Sequence, residues 1–190
     1  MNRDLALIIR DAIKTLPFVD KATGLVKTIE QERTSEDGKT IVIRFPASLD
    51  VEEPLAPGQY SDCTPDDKYK SVFFVEDRGG RSKGKDNRGA VSLTSTLRLV
   101  GWLNSRFKPG ADGLAIMNII KAIPERPANT DLLKNITCTA GAILGVEDRI
   151  FGRYTFEERT KQYLMSPYTA FAIDYTFEYQ IGTACLPEYE

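Results

Sequence analysis

The sequence predicts an α+β fold: a mainly antiparallel sheet of about six strands, with two or three helices packed on one face. Three observations predict it. Residues 168–182 place Phe171, Ile173, Tyr175, Phe177, Tyr179 and Ile181 on alternate positions, with Ala170, Ala172, Asp174, Thr176, Glu178 and Gln180 between them. That period-2 pattern belongs to a long strand with one face on a core and the other towards water. The N-terminal residues repeat their apolar positions at helical spacing instead. Between these two ends, β-prone runs come in pairs around turn-forming segments, which is the pattern of hairpins.

In chain order, Asn2 is placed to cap a helix running to about Leu16, where Pro17 ends it. Leu5, Ile9, Ala12, Ile13 and Leu16 form its apolar stripe, Ile8 widens it, and Arg3, Arg10 and Lys14 lie outside. Runs 25–33 and 39–45 flank Ser35, Glu36, Asp37 and Gly38, a hairpin signal, and Pro46 is expected to close the second strand. Residues 46–68 hold four prolines and six acidic residues against a single Lys. This long Pro- and acid-rich loop is either an ordered surface loop or an arm that a neighbouring subunit holds.

Runs 69–76 and 90–103 are the next two strands, bracketing a basic hairpin tip at 77–89. A helix is expected over 112–123, because Ile116, Ile119, Ile120 and Ile123 share one face and Pro124 stops it. Ile136, Cys138, Ala140, Ala142 and Leu144 alternate as a strand whose small residues permit close approach from above. Thr155 to Glu158 form a capping box for a short helix to about Leu164. The whole, 1–190, reads as one domain.

Bulk properties narrow the function. The net charge of −2 demands neither nucleic acid nor a membrane, and no apolar run reaches the 18 residues of a transmembrane helix. Cys63, Cys138 and Cys185 are odd in number and far apart, so free thiols in a reducing compartment are expected. The chain contains no His, which removes Ser-His and Cys-His nucleophile pairs and most zinc sites. No catalytic residue, cofactor or metal ion is expected, and the chain is not read as an enzyme. The adjacent acids Glu52 and Glu53, Asp66 and Asp67, Glu147 and Asp148, and Glu157 and Glu158 read as solvated surface, since neighbours in sequence diverge.

The segment 79–86 matches the first seven positions of a phosphate-binding P-loop, but Asp86 stands where a Ser or Thr should be. A strand also follows it rather than a helix, so the match fails on context. What remains is charge: Arg78, Arg81, Lys83, Lys85 and Arg88 against Asp86 alone, among glycines and with no aromatic residue. Without stacking platforms the tip is not a base reader. It is a candidate for docking on an acidic surface, with non-specific contact to a DNA backbone as the alternative.

The order of elements resembles the tail-terminator and tail-completion proteins of tailed bacteriophages, which form rings at the head–tail junction. The resemblance lies in the helix ending at Leu16-Pro17, the hairpin running into Phe45-Pro46, and the long loop with its pair of strands. A further helix and the opening of the final strand at Pro167-Tyr168-Thr169-Ala170-Phe171-Ala172 complete it. The chain's length, the 46–68 region and the basic tip depart from that pattern. The resemblance implies a structural virion protein, made in the host cytoplasm, that forms a homo-oligomeric ring between other virion proteins above and below. A second reading is a small nucleic-acid-binding protein that uses the basic tip.

Overall fold

In the computed structural model the described residues are 1–34, 37–48, 61–85, 90–104, 106, 120–121, 133–145, 149–155, 165 and 167–181. Helix α1 (Asn2–Lys14) is followed by β1 (Lys21–Thr34), β2 (Thr40–Ser48), β3 (Ser61–Asp62), β4 (Ser71–Lys85), β5 (Val91–Asn104), β6 (Lys134–Leu144) and β7 (Tyr168–Ile181). The strands form one sheet in the order β3-β2-β1-β4-β5-β7-β6. The class is α+β as expected, with seven strands rather than six. The sheet is mixed, because β1 lies parallel to β4 through Lys21↔Val72, Ala22↔Phe73 and Leu25↔Val75 while the other pairings are antiparallel. β2 and β3 occupy the other side of β1, so β4 enters on its free edge in the same direction.

The terminal strand behaves as its periodicity predicts. β7 pairs with β5 without a break from Val91↔Ile181 to Asn104↔Tyr168, and β6 covers its other side. Phe171, Ile173, Tyr175, Phe177, Tyr179 and Ile181 are all buried in one core with Leu5, Ala6, Ile9 and Ile13 of α1. Ile8 and Leu16 pack at its margin, and Ala6 rather than the expected Ala12 completes the buried stripe. Ile120 and Lys121 are helical and Ile120 is buried in the same core; the rest of the expected helix 112–123 lies outside the described residues, as does 156–164 of the other. Among the described residues α1 is the one complete helix.

Four expectations are corrected. Asn2 does not cap α1, since Met1 takes the cap position and no side-chain cap bond forms; the Asn2 amide reaches the sheet instead. Pro46 does not end its strand, which continues to Ser48. Its carbonyl accepts from the Cys63 N–H at 2.9 Å, so this residue's N and O point away from β1 and the missing N–H costs no ladder bond there. Within 46–68, β3 pairs with β2, while 49–60 lies outside the described residues. Leu144 does not share a face with Ala140, because the register shifts between Ala140 and Ile143 and turns Ile143 to the helix side.

The fourth correction concerns the face opposite α1, which is not simply solvated. Val26, Val72, Phe74, Val100, Trp102, Ala170 and Ala172 form a second core there with Cys63, Ile150 and Phe151. The segment 149–155 supplies its lid. Thr155 donates its N–H to the Arg44 carbonyl of β2 at 2.8 Å, and the Tyr154 hydroxyl bonds Glu76 of β4. One short segment thereby bridges strands from the two wings of the sheet.

Candidate interaction surface

The basic segment is ladder rather than tip for most of its length. β4 continues through Asp77 to Lys85 and stays paired with β5 as far as Lys85↔Val91. Two register shifts, between Asp77 and Gly80 and between Ser82 and Gly84, absorb the extra residues. Gly79 and Gly84 sit at φ 100° and 107°, where a side chain would be strained, so the glycines are bulge positions. The Asp77 carboxylate fixes the first bulge by accepting from the Gly79 N–H at 2.7 Å.

On the helix side, Asn2 ties α1 to this end of the sheet. Its amide donates to Asp77 at 2.8 Å and accepts from the Ser95 hydroxyl at 2.9 Å, which also meets the Tyr179 hydroxyl. The opposite side is polar. Arg81 pairs in register with Thr94, Thr94 with Glu178, and Glu178 with Thr137, while Thr96, Thr176 and Thr139 form the adjacent row. A third row is ionic: Glu76, Arg98 and Asp174 lie side by side on β4, β5 and β7. The Arg98 guanidinium holds Asp174 through two bonds of 2.7 and 2.8 Å, a fork-to-carboxylate fit.

Glu76 is only 2% exposed. One of its oxygens accepts from Tyr154 at 2.6 Å; the other has no hydrogen-bond partner, and the Arg78 guanidinium stands 3.8 Å from it. Burial, then the neighbouring Glu76 charge and the bond to it, push the Tyr154 hydroxyl above its ordinary pKa. This ionic row was not singled out in the sequence. Arg98 and Asp174 are visible there as charges inside alternating runs, but their pairing depends on a register that no local pattern sets.

Of the five candidate cations, the structure brings Arg78, Arg81 and Lys83 to one strand, ends that strand at Lys85, and leaves Arg88 outside the described residues. Lys83 reaches Glu178 at 2.5 Å and Arg78 faces Glu76, so two of the three are matched by carboxylates of the same sheet. Arg81 is exposed, and its side chain forms no ion pair or hydrogen bond among the described residues.

The turn before β4 lies at the other end of the strand. There Asp66 pairs with Lys68 at 2.8 Å, and Asp62 accepts from the Thr64 N–H at 2.7 Å. Burial, the largest single influence, raises the Asp66 pKa, but the side-chain and backbone bonds from Lys68 and its charge together outweigh it and hold the carboxyl below its usual value. Asp67 is exposed. Among the described residues no group of three or more His, Cys, Asp or Glu side chains is placed to hold a metal ion. Cys63 is buried against Thr23 and Cys138 is half-buried, and burial raises both thiols, Cys138 to about 12. Neither is an activated nucleophile. Among the described residues no helix is long and apolar enough to cross a membrane. Comparison with protein-family models, with curated proteins and with solved structures finds no match to this chain.

Proposed function

We propose that this chain is a structural virion protein, a ring-forming subunit at the head–tail junction of a tailed bacteriophage, acting as a tail terminator or neck component. The observation that carries the reading is the outer half of the β1–β2 hairpin. Past Leu25, β1 has no register partner on β4, while β1 and β2 stay paired out to Thr34↔Thr40. Residues 30–34 and 40–42 are exposed, with Ile41 at 45% and Val42 at 43%. A two-stranded ribbon is marginal on its own in water, and apolar side chains held out on one favour a protein partner.

The sheet also ends differently on its two sides, with the short β3 beyond β2 and the long β6 beyond β7. Unlike edges on one chain suit heterologous contacts, which close into a ring when the rotation permits. Native mass spectrometry at rising concentration, with negative-stain imaging, tests the reading. Closed rings or a concentration-dependent oligomer are expected. A strict monomer at high concentration overturns the proposal.

A further inference from the structure

We infer that the lid 149–155 is a releasable clasp, which when closed holds the outer arm of the β1–β2 hairpin to β4. The arm is 27–34 with 40–45, the part that the ring reading sets against a neighbour. The clasp lies within one chain and does not depend on that reading. In the plane of the sheet, β1 meets β4 in register only at Lys21, Ala22 and Leu25, with a shift between Ala22 and Leu25. Thr23 and Gly24 stand in that shift, where a strand bends most readily. On the helix face, α1 packs with Leu25 and Val75 alike. Past Leu25 the register partners end, and the lid joins the two strand pairs from the other face.

The bonds of the lid reach both sides. Thr155 donates its N–H to the Arg44 carbonyl of the arm at 2.8 Å. The Tyr154 hydroxyl donates to Glu76 at 2.6 Å, and the Arg153 guanidinium to the Asp77 carbonyl at 3.4 Å, both on β4. Ile150 and Phe151 anchor the lid in the second core, and Tyr154 packs edge-on to Phe74 with ring centres 6.1 Å apart.

Two features make the closed lid costly. Arg149 opens it at φ 54°, the left-handed region that a residue with a side chain enters at a cost. Glu76 is 2% exposed, and its Oε2 has no hydrogen-bond partner. The Arg78 guanidinium, at 3.8 Å from that oxygen, stands beyond hydrogen-bond reach. Lifting the lid relieves both costs together, because the Arg149 backbone relaxes and water reaches the unpaired oxygen. The lid therefore opens while β5 and β7 stay paired. Once it lifts, the arm is a two-stranded ribbon, marginal in water, and frays.

The test is hydrogen exchange of the whole protein, read by mass spectrometry with and without a low level of denaturant. In the wild type, 150–155 and the arm should share one opening that depends little on denaturant, because it exposes little surface. Residues 97–103 of β5 and 169–177 of β7 should show the steep dependence of global unfolding. Tyr154→Phe removes the bond to Glu76, and Arg149→Val makes the left-handed position harder to hold. In each variant the lid and the arm should speed by the same factor and keep their shallow dependence. That factor should be roughly tenfold for Tyr154→Phe and smaller for Arg149→Val.

A lid that speeds while the arm keeps its wild-type rate overturns the clasp, since the lid then does not hold the arm. An arm with the steep dependence of β5 overturns it too, for the arm then opens only with the whole molecule. Lid and arm rates unchanged in both variants do the same, because neither Tyr154 nor Arg149 then bears on the closed form. All are read at low protein concentration, where the outcome is the same whether or not copies form rings.

Discussion

Two ends of the same strands make an instructive comparison. Over 71–76 of β4, 97–104 of β5 and 168–173 of β7 the sheet is buried on both faces, by α1 on one side and by 149–155 and Cys63 on the other. From Asp77, Thr96 and Asp174 outward, the helix face of β7 remains buried and β4 becomes exposed, while the other face carries Arg81, Thr94, Thr176, Glu178 and Gln180. The helix-facing positions of β7 barely change along the strand. The opposite positions switch from Phe74, Trp102 and Ala172 to hydroxyls and charges where the lid ends. The ionic row of Glu76, Arg98 and Asp174 marks the boundary. A strand can therefore be interior material at one end and surface at the other, and only its alternate residues record where the change falls.

The largest expected effect breaks the constant side. Phe177→Asp places an unpaired charge among buried residues and should cost several kcal/mol, seen as a collapsed melting temperature. Glu178→Lys, its exposed neighbour, loses the Lys83 pair, worth only about 0–1 kcal/mol at the surface. Equal melting of the two variants would refute the register.

The next sharpens the lidded end. Trp102→Ala empties the second core and should cost about 3–5 kcal/mol. Thr96→Ala, on the same strand and face beyond the lid, should stay within about 0.5 kcal/mol. Chemical denaturation of both variants checks the contrast, and a Thr96 effect as large as the Trp102 one would erase the boundary.

At the boundary itself, Tyr154→Phe removes the donor to a buried carboxylate. A loss of about 1–3 kcal/mol is expected, because Glu76 then keeps no hydrogen bond from the lid. Hydrogen exchange should show 149–155 opening before the helix face does. Uniform exchange across both faces would show that the lid is not held there.

The smallest effect concerns Cys138 on β6. Its thiol is raised to about 12 by burial, above the ordinary value of an unfolded cysteine. Folding therefore favours the protonated form, a contribution present below about pH 8.5 and lost as pH climbs through the folded pKa. Alkylation at pH 8 should be far slower in the folded protein than in denaturant, measured by mass spectrometry. Equal rates would place this thiol in water.

Much of the helix face was legible because its signal is local. Period 2 in β7 and the repeats of Leu5, Ile9 and Ile13 place those residues on one core without any knowledge of partners. The lid was not legible, since it offers only Ile150 and Phe151 in a turn and depends on what lies opposite. The length of β4 was hidden by Gly79 and Gly84, which read as turn punctuation and act as bulges. The parallel pairing of β1 with β4 leaves no local trace, because strand direction is set by the chain that comes between. At the candidate surface the cations were visible, but which of them were already paired depended on cross-strand register.

The place of β7 bears on how the molecule comes to be made. The strand lying between β5 and β6 follows every other strand among the described residues, and its partners on β5 run from Val91, opposite Ile181, to Asn104, opposite Tyr168. Until β7 emerges from the ribosome, β5 keeps an open edge lined with Leu97, Leu99 and Val100, and β6 has nothing to pair with. Contacts so distant in sequence form slowly, and unpaired strand edges in the waiting chain are where copies associate wrongly. Closing the sheet with β7 therefore removes both of those edges in one step.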